Sequence, residues 1–85
     1  GGPPTVDEGA PTTTLQIRTA DGRRLRARLN LTHTIRHVMA IIKAEGAGET
    51  PYVLMEGFPP AQITNFDQTI EAAGLKGAQI TQKLA

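Results

Sequence analysis

From Thr13 the chain alternates with period two. Leu15 and Ile17 fall on one face and Thr14, Gln16 and Arg18 on the other, the pattern of a half-buried strand. Leu25, Ala27 and Leu29 alternate in the same way with Arg24, Arg26 and Arg28, and Asp21-Gly22 lies between the two runs, so they form a hairpin. Residues paired across an antiparallel ladder share a face, and their numbers therefore sum to an even value. A two-residue Asp21-Gly22 turn would set Ile17 against Arg26 and mix core with solvent. A three-residue loop of Asp21, Gly22 and Arg23, with Gly22 or a neighbour at positive φ, sets Thr19 against Leu25, Ile17 against Ala27 and Leu15 against Leu29. It also sets Arg18 against Arg26, and like charges directly opposite cost up to about 1 kcal/mol. An arginine-rich outer face does not serve the stability of the hairpin.

After Asn30 the period changes. Thr34 is the expected N-cap, and Ile35, Val38, Met39, Ile41 and Ile42 give an apolar stripe at three- and four-residue spacing. Gly46 is the expected stop. This helix has to cover the hairpin face that bears Leu15, Ile17, Leu25 and Leu29. Pro51 to Glu56 reads as a strand, with Tyr52-Val53-Leu54-Met55 apolar on both parities, as a strand between two neighbours should be. Gly57-Phe58-Pro59-Pro60 interrupts the sheet, because two successive Pro remove two ladder donors. A short strand follows about Gln62-Ile63-Thr64. Gln68 to Ala73 reads as one helical turn with Ile70 inward, closed by Gly74. The last strand is Ala78 to Leu84, carrying Ile80 and Leu84. Residues 1–12 hold three Pro and three Gly with no large aliphatic beyond Val6, and read as a flexible leader outside a folding unit of residues 13–85. The start Gly1-Gly2, without Met, suggests a piece cut from a longer chain.

Composition narrows the function. Eighty-five residues, 39% hydrophobic with no Trp, one Tyr and two Phe, make one domain with a thin core, too small to hold strained catalytic constellations easily. No acid pair sits in an apolar run, no nucleophile stands beside a base, and Gly46-Ala47-Gly48 follows a helix C-terminus, the wrong end of the dipole for an anion. The expectation is a non-enzymatic binding module without cofactor. The absence of Cys removes thiolate chemistry, Cys-ligated zinc and disulfides, and favours the cytoplasm or nucleus. The longest strongly apolar stretch, Val38 to Ile42, falls far short of the roughly 20 residues that cross a bilayer, so no membrane insertion is expected.

The net charge of +1 hides an asymmetry. All six Arg lie between Arg18 and Arg36 with only Asp21 to oppose them, while both flanking segments are net acidic. Three uses of such a face compete: a solvated surface, a protein-docking face, or a nucleic-acid patch. Single-strand binders pair their charge with aromatic stacking platforms, which this face lacks, so nucleic acid is not expected. Docking to an acidic cleft through Arg18 and its neighbour Arg26 fits better, since Arg suits bidentate carboxylate pairing; Arg24 and Arg28 read as solvated. His33 and His37 are four apart, but with Thr34 as N-cap His33 lies outside the helix, and no third ligand completes a metal site.

The order strand, strand, helix, strand, short strand, helical turn, strand resembles the α+β β-grasp of ubiquitin-like proteins. Thr34-Ile35, Val38, Ala40 and Ile42 look like ubiquitin's own helix start. Gln16-Ile17-Arg18 with Asp21-Gly22, Tyr52-Val53-Leu54-Met55 before Phe58-Pro59, Gln68-Thr69-Ile70-Glu71-Ala72-Ala73-Gly74-Leu75, and Ala78-Gln79-Ile80-Thr81-Gln82-Lys83-Leu84 resemble the UBX branch of that superfamily. The likeness covers residues 13–85, and within the family it is to the domain carried by the membrane-fusion cofactor of the AAA+ ATPase valosin-containing protein. The resemblance implies a docking module, monomeric when isolated, that binds the N-terminal domain of that hexameric ATPase. It implies a loop after the third strand, Gly57-Phe58-Pro59-Pro60, inserting into a cleft with a first-strand arginine, Arg18, alongside. Pro60 departs from the Arg or Asn that the family places third in the loop, which bears on affinity rather than on the site.

Two readings of the loop can be told apart. It is a tight turn whose Phe58 caps the core, or an exposed aromatic on a Pro-stiffened loop, the type of residue that dominates interfaces. One of the bonds Phe58-Pro59 and Pro59-Pro60 is expected to be cis. Two rival β-grasp functions remain. A conjugatable modifier would end in Gly-Gly, unlike Gln82-Lys83-Leu84-Ala85. A Ras-associating domain would bind a small GTPase through a basic second strand, for which Arg24, Arg26 and Arg28 would serve, and would not need the Phe58 loop.

Overall fold

The structure, a computed structural model, describes residues 2–85. Five strands form one mixed sheet: β1 (Thr12–Arg18), β2 (Arg24–Asn30), β3 (Tyr52–Glu56), β4 (Ala61–Ile63) and β5 (Gln79–Leu84). Their order across the sheet is β2-β1-β5-β3-β4, with β1 and β5 parallel and the other neighbours antiparallel. One helix, α1 (Ile35–Ala44), lies against the face that the period-two pattern makes apolar. Leu15, Ile17 and Leu29 of the hairpin, Ile35, Val38 and Ile42 of α1, and Leu54, Ile63 and Ile80 of the later strands share a single core with Ile70 and Leu75. This is the α+β β-grasp arrangement expected, and β3 is paired on both sides as its two apolar parities require.

The hairpin register differs from expectation by two. Ile17 lies opposite Leu25, Leu15 opposite Ala27 and Thr13 opposite Leu29. The parity rule holds, but the three-residue loop is Ala20-Asp21-Gly22, set one residue earlier. Thr19 N–H bonds to the Arg23 carbonyl and Gly22 N–H to the Thr19 carbonyl, with Gly22 at φ 90°, a bulged turn that needs a residue free of Cβ strain. The deciding chemistry is local. The Thr19 hydroxyl hydrogen-bonds the Asp21 carboxylate and accepts from the Arg23 N–H, while Arg23 Nε reaches Asp21 at 3.1 Å. Arg18 therefore opposes Arg24, not Arg26.

The boundary expected at residue 13 also falls too late. Asp7 to Pro11 are hydrogen-bonded into the fold: Asn30, buried at the end of β2, bonds the Asp7 N–H and the Asp7 and Pro11 carbonyls, and Leu31 N–H also donates to Pro11. The segment buries little apolar surface, so its composition did not betray it; polar bonds hold it.

Both ends of α1 are closed by neighbouring backbone. Thr34 is extended as an N-cap should be, and the free N–H groups of Ile35 and Arg36 donate to the carbonyls of Gln68 and Phe66, which satisfies donors that a helix start leaves open. At the other end Ala47 N–H returns to Ile42 and Gly46 N–H to Lys43, a Schellman closure. The turn after Thr69 closes in the same way, with Leu75 bonded to Ile70 and Gly74 to Glu71. Along β5, Ile80 is buried but Leu84 is 55% exposed. Between them the buried Gln82 fills the inward position, accepting from Ala20 N–H at 2.9 Å and donating to the Ala47 carbonyl at 2.6 Å.

Candidate functional site

The last paired residues of β3 and β4 are Glu56 and Ala61, so Gly57-Phe58-Pro59-Pro60 is the whole connection between them. Local sequence dictates its shape. Pro59 and Pro60 have fixed φ and no N–H for a ladder, and Gly57 turns the chain at φ 81°, a conformation that costs other residues about 1–2 kcal/mol. The Phe58-Pro59 bond is cis, one of the two expected. Phe58 is 98% exposed, which excludes the reading in which it caps the core. Phe66 is partly buried with the Arg36 guanidinium 5.9 Å from its ring centre, and Tyr52 packs against the core. Phe58 is thus the one aromatic of three that is left wholly to solvent, beside an open groove of about 700 Å³ walled by Met55, Pro60 and Ala78 together with the polar Glu56, Gln79, Thr81 and Lys83.

The register places the arginines on the same sheet face. Arg24, Arg18 and Thr81 are successive partners across β2, β1 and β5, and Thr81 pairs on with Met55 of β3. Arg18 is thus two strand spacings, about 10 Å, from Met55 at the groove. One pleat along, Arg26, Gln16 and Gln79 form a second row, and the β3–β5 register continued past Glu56 brings that row to Gly57. Arg18 and Arg26 do not wall the groove beside Phe58. Arg18 lines a separate pocket of about 260 Å³ with Gln16, Ile17, Arg24 and Gln79. Gln79 borders both hollows; Gln79, Met55 and Thr81 are not among the binding residues expected from sequence, and Arg24 figures there only as solvated or as part of a GTPase-binding strand, because only the observed register brings the four into line.

Charge is unevenly satisfied over this face. At its margins Arg28 pairs with Glu8 and Arg23 with Asp21, and Arg36 pairs with Asp67 at 2.6 Å on the helix side. Hydrogen bonds to those arginines hold the Glu8 and Asp67 carboxyls below the usual range; Asp21 is drawn down to about 2, chiefly by the Thr19 hydroxyl and then by Arg23. Arg18, Arg24 and Arg26 have no carboxylate partner among the described residues.

The two histidines serve the backbone. His33 Nδ1 accepts the Asn30 N–H and His37 Nδ1 accepts the Thr34 N–H, each at 2.9 Å, with ring centres 4.8 Å apart. Both Nδ1 lone pairs are therefore engaged, and no group of three potential metal ligands is gathered among the described residues. The arrangement offers a fixed aromatic, a groove of mixed apolar and polar lining and unmatched cations on one face, which suits recognition of a protein surface.

The sequence model of the UBX domain matches residues 7–83. This chain belongs to the UBX-domain family. Its similarity to relatives runs through nearly the whole chain. It is 49% identical over 80 residues to Plant UBX domain-containing protein 5 of Arabidopsis thaliana and 40% identical over 80 residues to the NSFL1 cofactor p47 homolog of Dictyostelium discoideum. Those matches cover 92% and 93% of this chain but 19% of each relative, so the chain spans about a fifth of their length. A solution structure of a UBX domain superposes with a TM-score of 0.76 at 19% identity, covering 100% of this chain and 84% of that one, which establishes a shared fold. A UBX domain is a ubiquitin-like protein-interaction module. The family match begins at Asp7, where the hydrogen bonds to Asn30 begin. In this UBX domain the third loop position is Pro60, exposed at the groove without a side-chain donor.

Proposed function

We propose that this UBX domain is a non-enzymatic adaptor that docks the N-terminal domain of a hexameric AAA+ ATPase of the valosin-containing-protein type, bringing to it substrates held by other parts of a longer protein. The observation that carries this reading is the complete exposure of Phe58 on a loop fixed by two Pro, in a domain otherwise poor in aromatics. An aromatic held in this way loses little entropy on burial and makes a strong anchor. Membership of the UBX family and similarity to the NSFL1 cofactor p47 homolog support it. Phe58 and Pro59 enter the partner's cleft, Gly57 sets the entry angle, Pro60 contributes shape, and Arg18 with Arg26 faces acidic groups at the cleft's rim. The isolated domain acts as a monomer, in the cytoplasm or nucleus.

Titration with the isolated ATPase N-domain, followed through amide chemical shifts, tests partner and site together. Shifts are expected at residues 56–61 and along β1. Shifts confined to β2, or seen only with a GTP-loaded Ras-type GTPase, would replace this reading with that of a Ras-associating domain.

A further inference from the structure

Six arginines divide by their surroundings. Three are matched by carboxylates, and the three that are not, Arg18, Arg24 and Arg26, stand together on the outward face of β1 and β2. Arg18 and Arg24 are direct cross-strand partners. Thr19 N–H bonds the Arg23 carbonyl, so by the alternation of an antiparallel ladder the adjacent Arg18/Arg24 position is a non-hydrogen-bonded pair. That is the closer kind, with Cβ atoms about 4.5–5.5 Å apart. The pocket of about 260 Å³ between them has Ile17, Gln16 and Gln79 as its other walls. Two arginines and two glutamines thus border one space that has no acid in its lining.

We propose that Arg18 and Arg24 form a clamp for a single partner carboxylate, an Asp or Glu side chain on a segment that runs across β1 and β5 toward the Phe58 loop. A shared anion would remove the repulsion between the two cations and give each a planar acceptor suited to its fork of donors. Gln79 borders both this pocket and the groove beside Phe58, so one continuous segment can fill both, its apolar part by the loop and its acid in the clamp. The occupant is an acidic protein segment because the outward neighbours of the arginines are Gln16, Gln79 and Thr81, none of which can stack a base. The inference rests on the docking reading and adds to it a second-strand residue, Arg24, that binds the partner directly.

The test compares Arg24→Gln with Arg28→Gln, whose arginine lies on the same strand but is matched by Glu8. In titrations with the ATPase N-domain, Arg24→Gln is expected to weaken binding about 3- to 10-fold, with the difference from wild type shrinking at high salt, and Arg28→Gln to leave it unchanged. Equal affinities for wild type and Arg24→Gln overturn the clamp while leaving the docking reading intact. Should the N-domain not bind at all, the docking reading fails and hexaglutamate decides the clamp. Amide shifts at Gln16, Arg18, Arg24 and Gln79 that vanish in Arg24→Gln sustain it; no shifts there, or shifts given by oligothymidylate instead, overturn it.

Discussion

Asp7 and Asn30 are joined by a reciprocal pair of hydrogen bonds: the Asp7 N–H donates to Asn30 Oδ1 and Asn30 Nδ2 donates to the Asp7 carbonyl, both at 2.8 Å. Asn30 is 3% exposed and also reaches the Pro11 carbonyl at 3.2 Å. This one amide stitches the segment before β1 to the end of β2. Asn30→Ala leaves an enclosed N–H and carbonyls without partners, each costing on the order of 1–3 kcal/mol when it cannot be solvated. The expected result is a loss of about 1–3 kcal/mol in urea unfolding, with fast hydrogen exchange at the Asp7 amide. An unchanged midpoint would mean that the segment contributes nothing to the fold.

The Phe58 loop is expected to separate stability from binding. Phe58→Ala removes a side chain that touches only solvent, so the urea midpoint should stay within about 0.5 kcal/mol of wild type, while affinity for the ATPase N-domain falls by about 2 kcal/mol or more if Phe58 is the anchor. Gly57→Ala should behave differently. An added Cβ would meet nothing closer than the Pro59 carbonyl oxygen at 3.7 Å, so crowding is not the cost; the φ of 81° is. About 1–2 kcal/mol of stability should be lost, and binding with it if the loop relaxes to a different path.

Much of this was legible in the residues because each element carries its own period. The alternation of Leu15 and Ile17, the stripe of Ile35, Val38 and Ile42, and the Pro pair after Phe58 each point to one local structure, and together to one fold. What stayed hidden depends on side chains answering distant backbone. Nothing near Asn30 in sequence reveals that it bonds Asp7. The hairpin slipped by two in the reading because parity allows both registers, and the choice between them lies with the Thr19, Asp21 and Arg23 side chains. That slip had a functional price: it paired Arg18 with Arg26 and left Arg24 among the solvated residues. At the end of β5 the sheet outruns the core, so that Leu84 is exposed and the polar Gln82 takes the last enclosed place, which no local period announces.

Gln82 itself gives a sharp test of polar stitching. Its amide joins the β1–β2 loop, through Ala20 N–H, to the chain after α1, through the Ala47 carbonyl. Gln82→Leu has similar bulk, yet strands both backbone groups. A loss of about 1–3 kcal/mol is expected, with faster hydrogen exchange at Ala20. A more stable variant would show that both groups find water.

His33 sets a pH dependence whose sign can be worked out. Burial, and then the neighbouring His37, lowers its pKa below the ordinary value of 6.5, and its Nδ1 already accepts the Asn30 N–H. Protonation would turn that acceptor into a donor facing a donor. With a depressed folded pKa, the unfolded chain binds more protons between that value and 6.5, so stability rises with pH across this window. The contribution is complete above about pH 6.5 and is lost as the pH falls through the folded pKa. Urea midpoints should therefore be flat above neutrality and fall as the solution is acidified below about pH 6.5, and His33→Gln should flatten that fall even if its stability at neutral pH is lower. A wild-type midpoint that stays constant over the same range, or a slope that persists unchanged in His33→Gln, would place the proton-linked group elsewhere.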